Sequence, residues 1–131
     1  MTDRELVEKA KEAAEKAYAP YSGFTVGAAL LAKSGKVYLG CNIENASYTP
    51  TNCAERTAFF KAVSEGEREF VKIAVVGGKA LDFADYCTPC GVCRQVMSEF
   101  CNEDFAVILG RNDGNHKVMT LGELLPFSFG L

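Results

Sequence analysis

No apolar run in the 131 residues approaches the roughly 18 needed to cross a bilayer as a helix. Basic charge is also short: 14 Lys and Arg stand against 17 Asp and Glu, a formal net charge of −3. The basic residues are scattered, with no run or stripe. Neutralising phosphates supplies much of any affinity for nucleic acid, so neither a broad polynucleotide surface nor a membrane partner is expected. The opening, MTDRELVEKA, carries acidic residues and lacks the apolar centre of a secretory signal. The expectation is a cytoplasmic protein whose thiols stay reduced. There are no repeats, low-complexity segments or linkers. Histidine is almost missing: the lone His116 lies in the polar stretch RNDGNHK and reads as a surface turn residue without a role.

What is present is an ordinary globular composition, 48% apolar and 24% charged. The length suits one domain, residues 1–131. A domain of this size buries roughly two thirds of the surface its unfolded chain exposes, so it needs no staples to fold. Six cysteines in such a chain point to metal or chemistry rather than bridges.

Thr2 followed by Glu5 makes a capping box, and Leu6, Val7, Ala10, Ala13, Ala14 and Ala17 recur at helical spacing. This predicts a helix from Asp3 to about Tyr18, stopped by Pro20. Two apolar runs around Ser34-Gly35 predict a β-hairpin, which leads into the polar loop NIENASYTPTN. CAERTAFFKAVSEG reads as a helix closed at Gly66, KIAVVGG as a buried strand, GVCRQVMSEF as a third helix and DFAVILG as another strand. A short strand and a helical turn around LGELL follow. The order predicts a three-layer α/β/α domain with a mixed sheet of about five strands, in which strand–helix–strand units make parallel pairs.

Cys87, Cys90 and Cys93 fall within seven residues, CTPCGVC. The spacing of the first three ligands of an iron–sulfur run is present, but the fourth position is Met97. A Cys90/Cys93 redox pair would normally follow the first strand of its fold. A zinc site needs a further ligand, and Cys53 opens the second helix as Cys90 opens the third. Helices that follow parallel strands start at the same side of a sheet, so the three thiolates can converge where two helix dipoles stabilise them. Three protein ligands leave a fourth position for water, the arrangement of catalytic zinc. Glu55, on the same turn as Cys53, could reach that water without binding the metal. The competing reading is a structural zinc module with Cys87 as fourth ligand, which leaves Glu55 without a task.

CAE followed by PCGVCRQ resembles the zinc-dependent cytidine deaminases of the small homotetrameric class. The resemblance extends through YSGFTVGAAL and CNIENASY to LLPFSF, nearly the whole chain. It implies a cytidine deaminase-like fold and one Zn²⁺ per subunit on Cys53, Cys90 and Cys93. Glu55 would be the proton shuttle, and Arg56 would donate hydrogen bonds to the ligand sulfurs. The implied substrate-binding residues are Phe24, Asn42, Glu44, Tyr48, Ala54 and Phe129, the last entering a neighbouring subunit's site. In an extended segment Asn42 and Glu44 face the same way, and an amide beside a carboxylate suits a sugar diol. A carboxylate would repel the 3′-phosphate of a polynucleotide, so Glu44 favours a free nucleoside over RNA or DNA. Deaminases of modified cytosine nucleosides of the blasticidin type share the zinc motif but not the Asn42-x-Glu44 pattern. Cys41, Cys87 and Cys101 are expected to be ordinary, partly buried cysteines.

Overall fold

A computed structural model describes residues 1–131. The elements are α1 (Asp3–Ala14), β1 (Phe24–Ala32), β2 (Val37–Cys41), α2 (Ala54–Ser64), β3 (Phe70–Lys79), α3 (Gly91–Phe100), β4 (Ala106–Gly110), β5 (His116–Thr120) and α4 (Leu121–Leu124). The strands form one sheet in the order β2-β1-β3-β4-β5. It is mixed and five-stranded, as the element order implied.

Parallel pairing is sparser than expected. Only β3 and β4 are adjacent and parallel, while β1 is antiparallel to both β2 and β3. The hairpin inserts β1 between β2 and β3, so the crossover through α2 passes over it. Since β2, β3 and β4 still run the same way, α2 and α3 both begin beyond the same edge of the sheet. Successive crossovers in one direction across a sheet place their helices on one face.

Side chains alternate between two apolar layers, as a pleated strand requires. Ala28, Leu30, Ile73, Val75, Val107 and Leu109 face α2, α3 and α4, where Phe59 and Met97 are fully buried. Ala29, Ala74, Val76 and Ile108 face α1 and its Leu6, Val7, Ala10 and Ala14. Phe59 lies against Phe70, Phe100 and Phe105, with ring centroids 5.0, 6.2 and 6.2 Å away. This cluster ties α2 to α3 and to the sheet.

The capping box of Thr2 and Glu5 forms as the sequence predicts. The helix behind it ends at Ala14, short of Tyr18, because a tertiary contact captures the following residues. Tyr18 N–H donates to the Asn42 carbonyl at 3.0 Å, and Glu44 N–H donates to the Tyr18 carbonyl at 2.8 Å. That exchange holds the Asn42–Glu44 segment extended. β3 runs several residues beyond the expected KIAVVGG. The third helix has the expected bounds.

Gly40 sets how close α2 lies to β2. A Cβ there would sit 2.3 Å from the Ala54 carbonyl oxygen and 2.6 Å from the Ala58 nitrogen. Only glycine lets the first turn of α2 settle against the strand.

Candidate active site

Cys53 and Cys90 are the N-cap residues of α2 and α3. The two helices start at the same edge of the sheet, so residues 37 apart in sequence meet: their sulfurs are 3.7 Å apart. Cys93, one turn into α3, lies 3.3 Å from Cys90. The three sulfurs all lie within 4.8 Å of one another, and no fourth Cys, His, Asp or Glu joins the group. At a Zn–S distance of about 2.3 Å, the edge of a regular tetrahedron is about 3.8 Å. The sulfur spacing therefore fits zinc, and soft thiolates suit it chemically. Cys87 stands outside this group, which removes the four-cysteine arrangement of a structural module.

Arg56 places a guanidinium nitrogen 3.3 Å from Cys53 Sγ, and its buried Nε finds no partner. Cys53 is held down to about 5, chiefly by a hydrogen bond from Cys93 and then by Arg56. Desolvation works against the Arg56 charge, but its bonds to the Cys53 and Cys93 sulfurs outweigh this and raise its pKa. A cation beside the thiolates offsets the excess negative charge that three of them bring to a divalent ion.

Glu55 is the one buried charged residue, 4% exposed. Desolvation is the main cause that pushes its carboxyl up to about 7, and the negative charge of Cys53 adds to it. A carboxyl balanced near neutrality can both take and give a proton.

These groups open into a cavity of about 210 Å³ lined by Val26, Asn42, Glu44, Thr51, Asn52, Cys53, Ala54, Glu55, Cys87, Thr88 and Cys90. Cys53, Cys90 and Glu55 thus share one cavity with Asn42 and Glu44. Asn42 is clamped to the start of β1: its Oδ1 accepts from Val26 N–H at 2.9 Å and its Nδ2 donates to the Phe24 carbonyl at 2.8 Å. Glu44 Oε1 accepts from the Tyr21 and Ser22 amides, and Oε2 accepts from the Ser22 hydroxyl. The Ser22 bond, and then those amides, hold the carboxyl below its ordinary range. Both polar groups are pre-positioned before any ligand arrives. Ala54 is fully buried at the first position of α2, where a backbone N–H has no partner within the helix.

The remaining expected residues lie further out. Phe24 begins β1, is 40% exposed and is not among the residues that line the cavity. Tyr48 is 80% exposed, has a left-handed backbone with φ of 61°, and lines an adjoining cavity that shares Glu44 and Thr51. Phe129 is 70% exposed in the C-terminal tail, which is tied to α3 by Gln95 Nε2 donating to the Phe129 carbonyl at 3.2 Å. Sequence reasoning missed Val26, Thr51, Asn52 and Thr88 as cavity walls and took Cys87 for a bystander. A larger cavity, about 810 Å³, runs along β2 between α1 and α2 but contains none of the three clustered thiols.

Three thiolates with a proton-carrying carboxyl at their shoulder are equipment for adding water to an electron-poor carbon. Fold and site together define a zinc-dependent deaminase. The family model described as "Cytidine and deoxycytidylate deaminase zinc-binding region" matches residues 1–109. A cytidine deaminase of Sporosarcina psychrophila is 52% identical over 129 residues, covering 98% of this chain and 92% of the relative. One from Halalkalibacterium halodurans is 56% identical over 124 residues, covering 95% and 91%. The crystal structure of cytidine deaminase from Burkholderia pseudomallei matches with a TM-score of 0.91 at 52% identity, covering 98% of this chain and 100% of that one. A blasticidin-S deaminase of Bacillus cereus is more distant, 33% identical over 131 residues. The chain belongs to the cytidine deaminase family. Zinc is its cofactor and hydrolytic deamination its chemistry.

Proposed function

We propose that residues 1–131 act as a single catalytic domain that converts free cytidine and 2′-deoxycytidine to uridine and 2′-deoxyuridine, releasing ammonia. The observation that carries this reading is the shared cavity: a buried Glu55, its carboxyl pushed up to about 7, lines it together with Cys53, Cys90, Asn42 and Glu44.

Cys53, Cys90 and Cys93 are the zinc ligands. The chemistry that zinc would supply when bound is the acidification of water, its pKa lowered towards neutrality. Glu55 accepts a proton from the attacking water and passes it to cytosine N3, which makes C4 electrophilic. The C4–O bond forms, leaving a hydroxyl on C4. Glu55, ionised again, takes that hydroxyl's proton and delivers it to the amino group, so that C4=O forms as the C4–N bond breaks and ammonia leaves. Burial suits Glu55 to this cycle because neither charge state is strongly favoured. Arg56 holds the sulfur charge through its bond to Cys53. Asn42 and Glu44 bind the sugar hydroxyls, Glu44 accepting from the 3′-hydroxyl. Ala54 offers its backbone N–H to the base, and Phe24 covers the ring.

Phe129 acts across subunits, and Tyr48, beside Glu44 in the adjoining cavity, lines this site or a neighbour's. A tail carrying two largely exposed phenylalanines, Phe127 and Phe129, does not fold onto its own core. This supports a homotetramer in which Phe129 closes a neighbour's site. The protein works in the cytoplasm in pyrimidine salvage.

The test is ultraviolet absorbance of cytidine and deoxycytidine with purified protein beside Glu55→Gln. Wild type should bleach the cytosine band. The variant should be slower by about 10²- to 10⁴-fold, the usual contribution of a positioned acid–base group, with its zinc retained. A folded, zinc-loaded wild type that leaves both nucleosides intact would shift the substrate to a modified cytosine nucleoside.

A further inference from the structure

Cys87 is placed where it shapes the substrate and not the metal. It lies three residues before Cys90, lines the same cavity, and stays out of the sulfur group. The surface beneath it is bare backbone. A Cβ on Gly77 of β3 would lie 2.6 Å from Cys87 Sγ and 3.2 Å from Phe24 Cε2. The Cys87 thiol and the Phe24 ring thus meet over one patch of sheet that only glycine leaves open. Burial, the largest cause, pushes the thiol up to about 11, so at neutral pH it is an uncharged, apolar wall.

Pyrimidine geometry then assigns the edge it faces, given the substrate orientation proposed above. N1 carries the sugar and points to Asn42 and Glu44, while C4 points to the thiols. N3, on one side of C4, meets Glu55, with Ala54 beside it on the same helical turn. C5, on the other side of C4, is left to the wall that remains at the metal end, Cys87 and Thr88. We infer that Cys87 is a specificity-determining residue that limits the size of the C5 substituent a cytosine nucleoside can carry.

The test reads the ratio of kcat/KM for 5-methylcytidine to kcat/KM for cytidine, in wild type, Cys87→Ala and Cys87→Leu. Both substrates share each preparation, so a partly unfolded variant does not distort the ratio. A single methyl group in an apolar pocket changes discrimination by about 10- to 200-fold. Cys87→Ala should raise the ratio by about tenfold, and Cys87→Leu should lower it by a similar factor. If Cys87→Leu fails to fold, Cys87→Ala alone still decides. A ratio unmoved in the folded variants overturns the inference and leaves the deaminase reading intact. Wild type inert towards both nucleosides would overturn the proposed substrate and, with it, this assignment.

Discussion

At the scale of single residues, the chemistry rests on how a few charges are offset. Arg56 is the nearest cation to the sulfur group, 3.3 Å from Cys53. A hydrogen bond to a charged group contributes about 1.5–3 kcal/mol. Arg56→Ala should therefore lower kcat by about 10- to 100-fold in the zinc-loaded protein, read by steady-state kinetics with metal analysis. Unchanged turnover would show that the helix termini alone offset the thiolates. These residues were legible because they are neighbours in sequence: Cys53, Glu55 and Arg56 share one turn, and Cys90 and Cys93 share another. Cys87 was not legible. Its place in the wall depends on Gly77, ten residues earlier on a different element. Nothing in CTPCGVC signals a bare patch of β3.

At the scale of elements, one carboxylate adds to the β1–β3 ladder in holding the hairpin. Glu67, between α2 and β3, accepts from Ser34 Oγ in the β1–β2 turn at 2.6 Å and from Tyr38 OH on β2 at 2.9 Å. The Ser34 bond, then the Tyr38 bond, lowers the carboxyl pKa below its ordinary value. A depressed folded-state value means stability that is present above the unfolded pKa, about 4.3, and lost as pH falls through the folded one. Glu67→Gln should accordingly melt below wild type at pH 7, and the gap should close as the pH is lowered towards 3. Thermal denaturation at the two pH values checks this; a gap that persists at the lower pH would refute it. Element types were readable from periodicity and caps, but two boundaries were not. Helix α1 ends early because Tyr18 pairs with Asn42 and Glu44, a contact with residues far along the chain.

At the scale of the whole molecule, two apolar layers flank the sheet, and of the proposed ligands only Cys93 belongs to either, so the fold is expected to persist without the metal. A ligand that binds only the folded state adds RT ln(1 + [L]/Kd), about 2.7 kcal/mol at a hundredfold excess over Kd. Chelation should thus lower the melting temperature by several degrees and leave a cooperative transition, measured by calorimetry. Loss of the transition altogether would make zinc a folding element. The apolar tail gives a second expectation. Phe129→Ala should raise KM for cytidine severalfold, as the proposed tetramer requires, and leave the melting temperature within a degree or two, because its side chain is exposed. A fall in melting temperature without a change in KM would place the tail in the subunit's own stability. No helix here is long and apolar enough to cross a membrane, as the absence of a long apolar run indicated.

Periodicity, capping residues and ligand spacing are local properties. The sequence by itself therefore determined the helices, the hairpin, the paired thiols of α3 and the Cys53–Glu55–Arg56 turn. One turn of helix sets the separation of residues three apart whatever surrounds it. The meeting of Cys53 with Cys90 was decided by tertiary structure, because it requires two crossovers to run the same way over the sheet. Tertiary structure also decided the approach of α2 to Gly40, the clamping of Asn42 and Glu44, and the wall made by Cys87 over Gly77. Each joins elements separated in sequence, and only packing specifies which elements become neighbours.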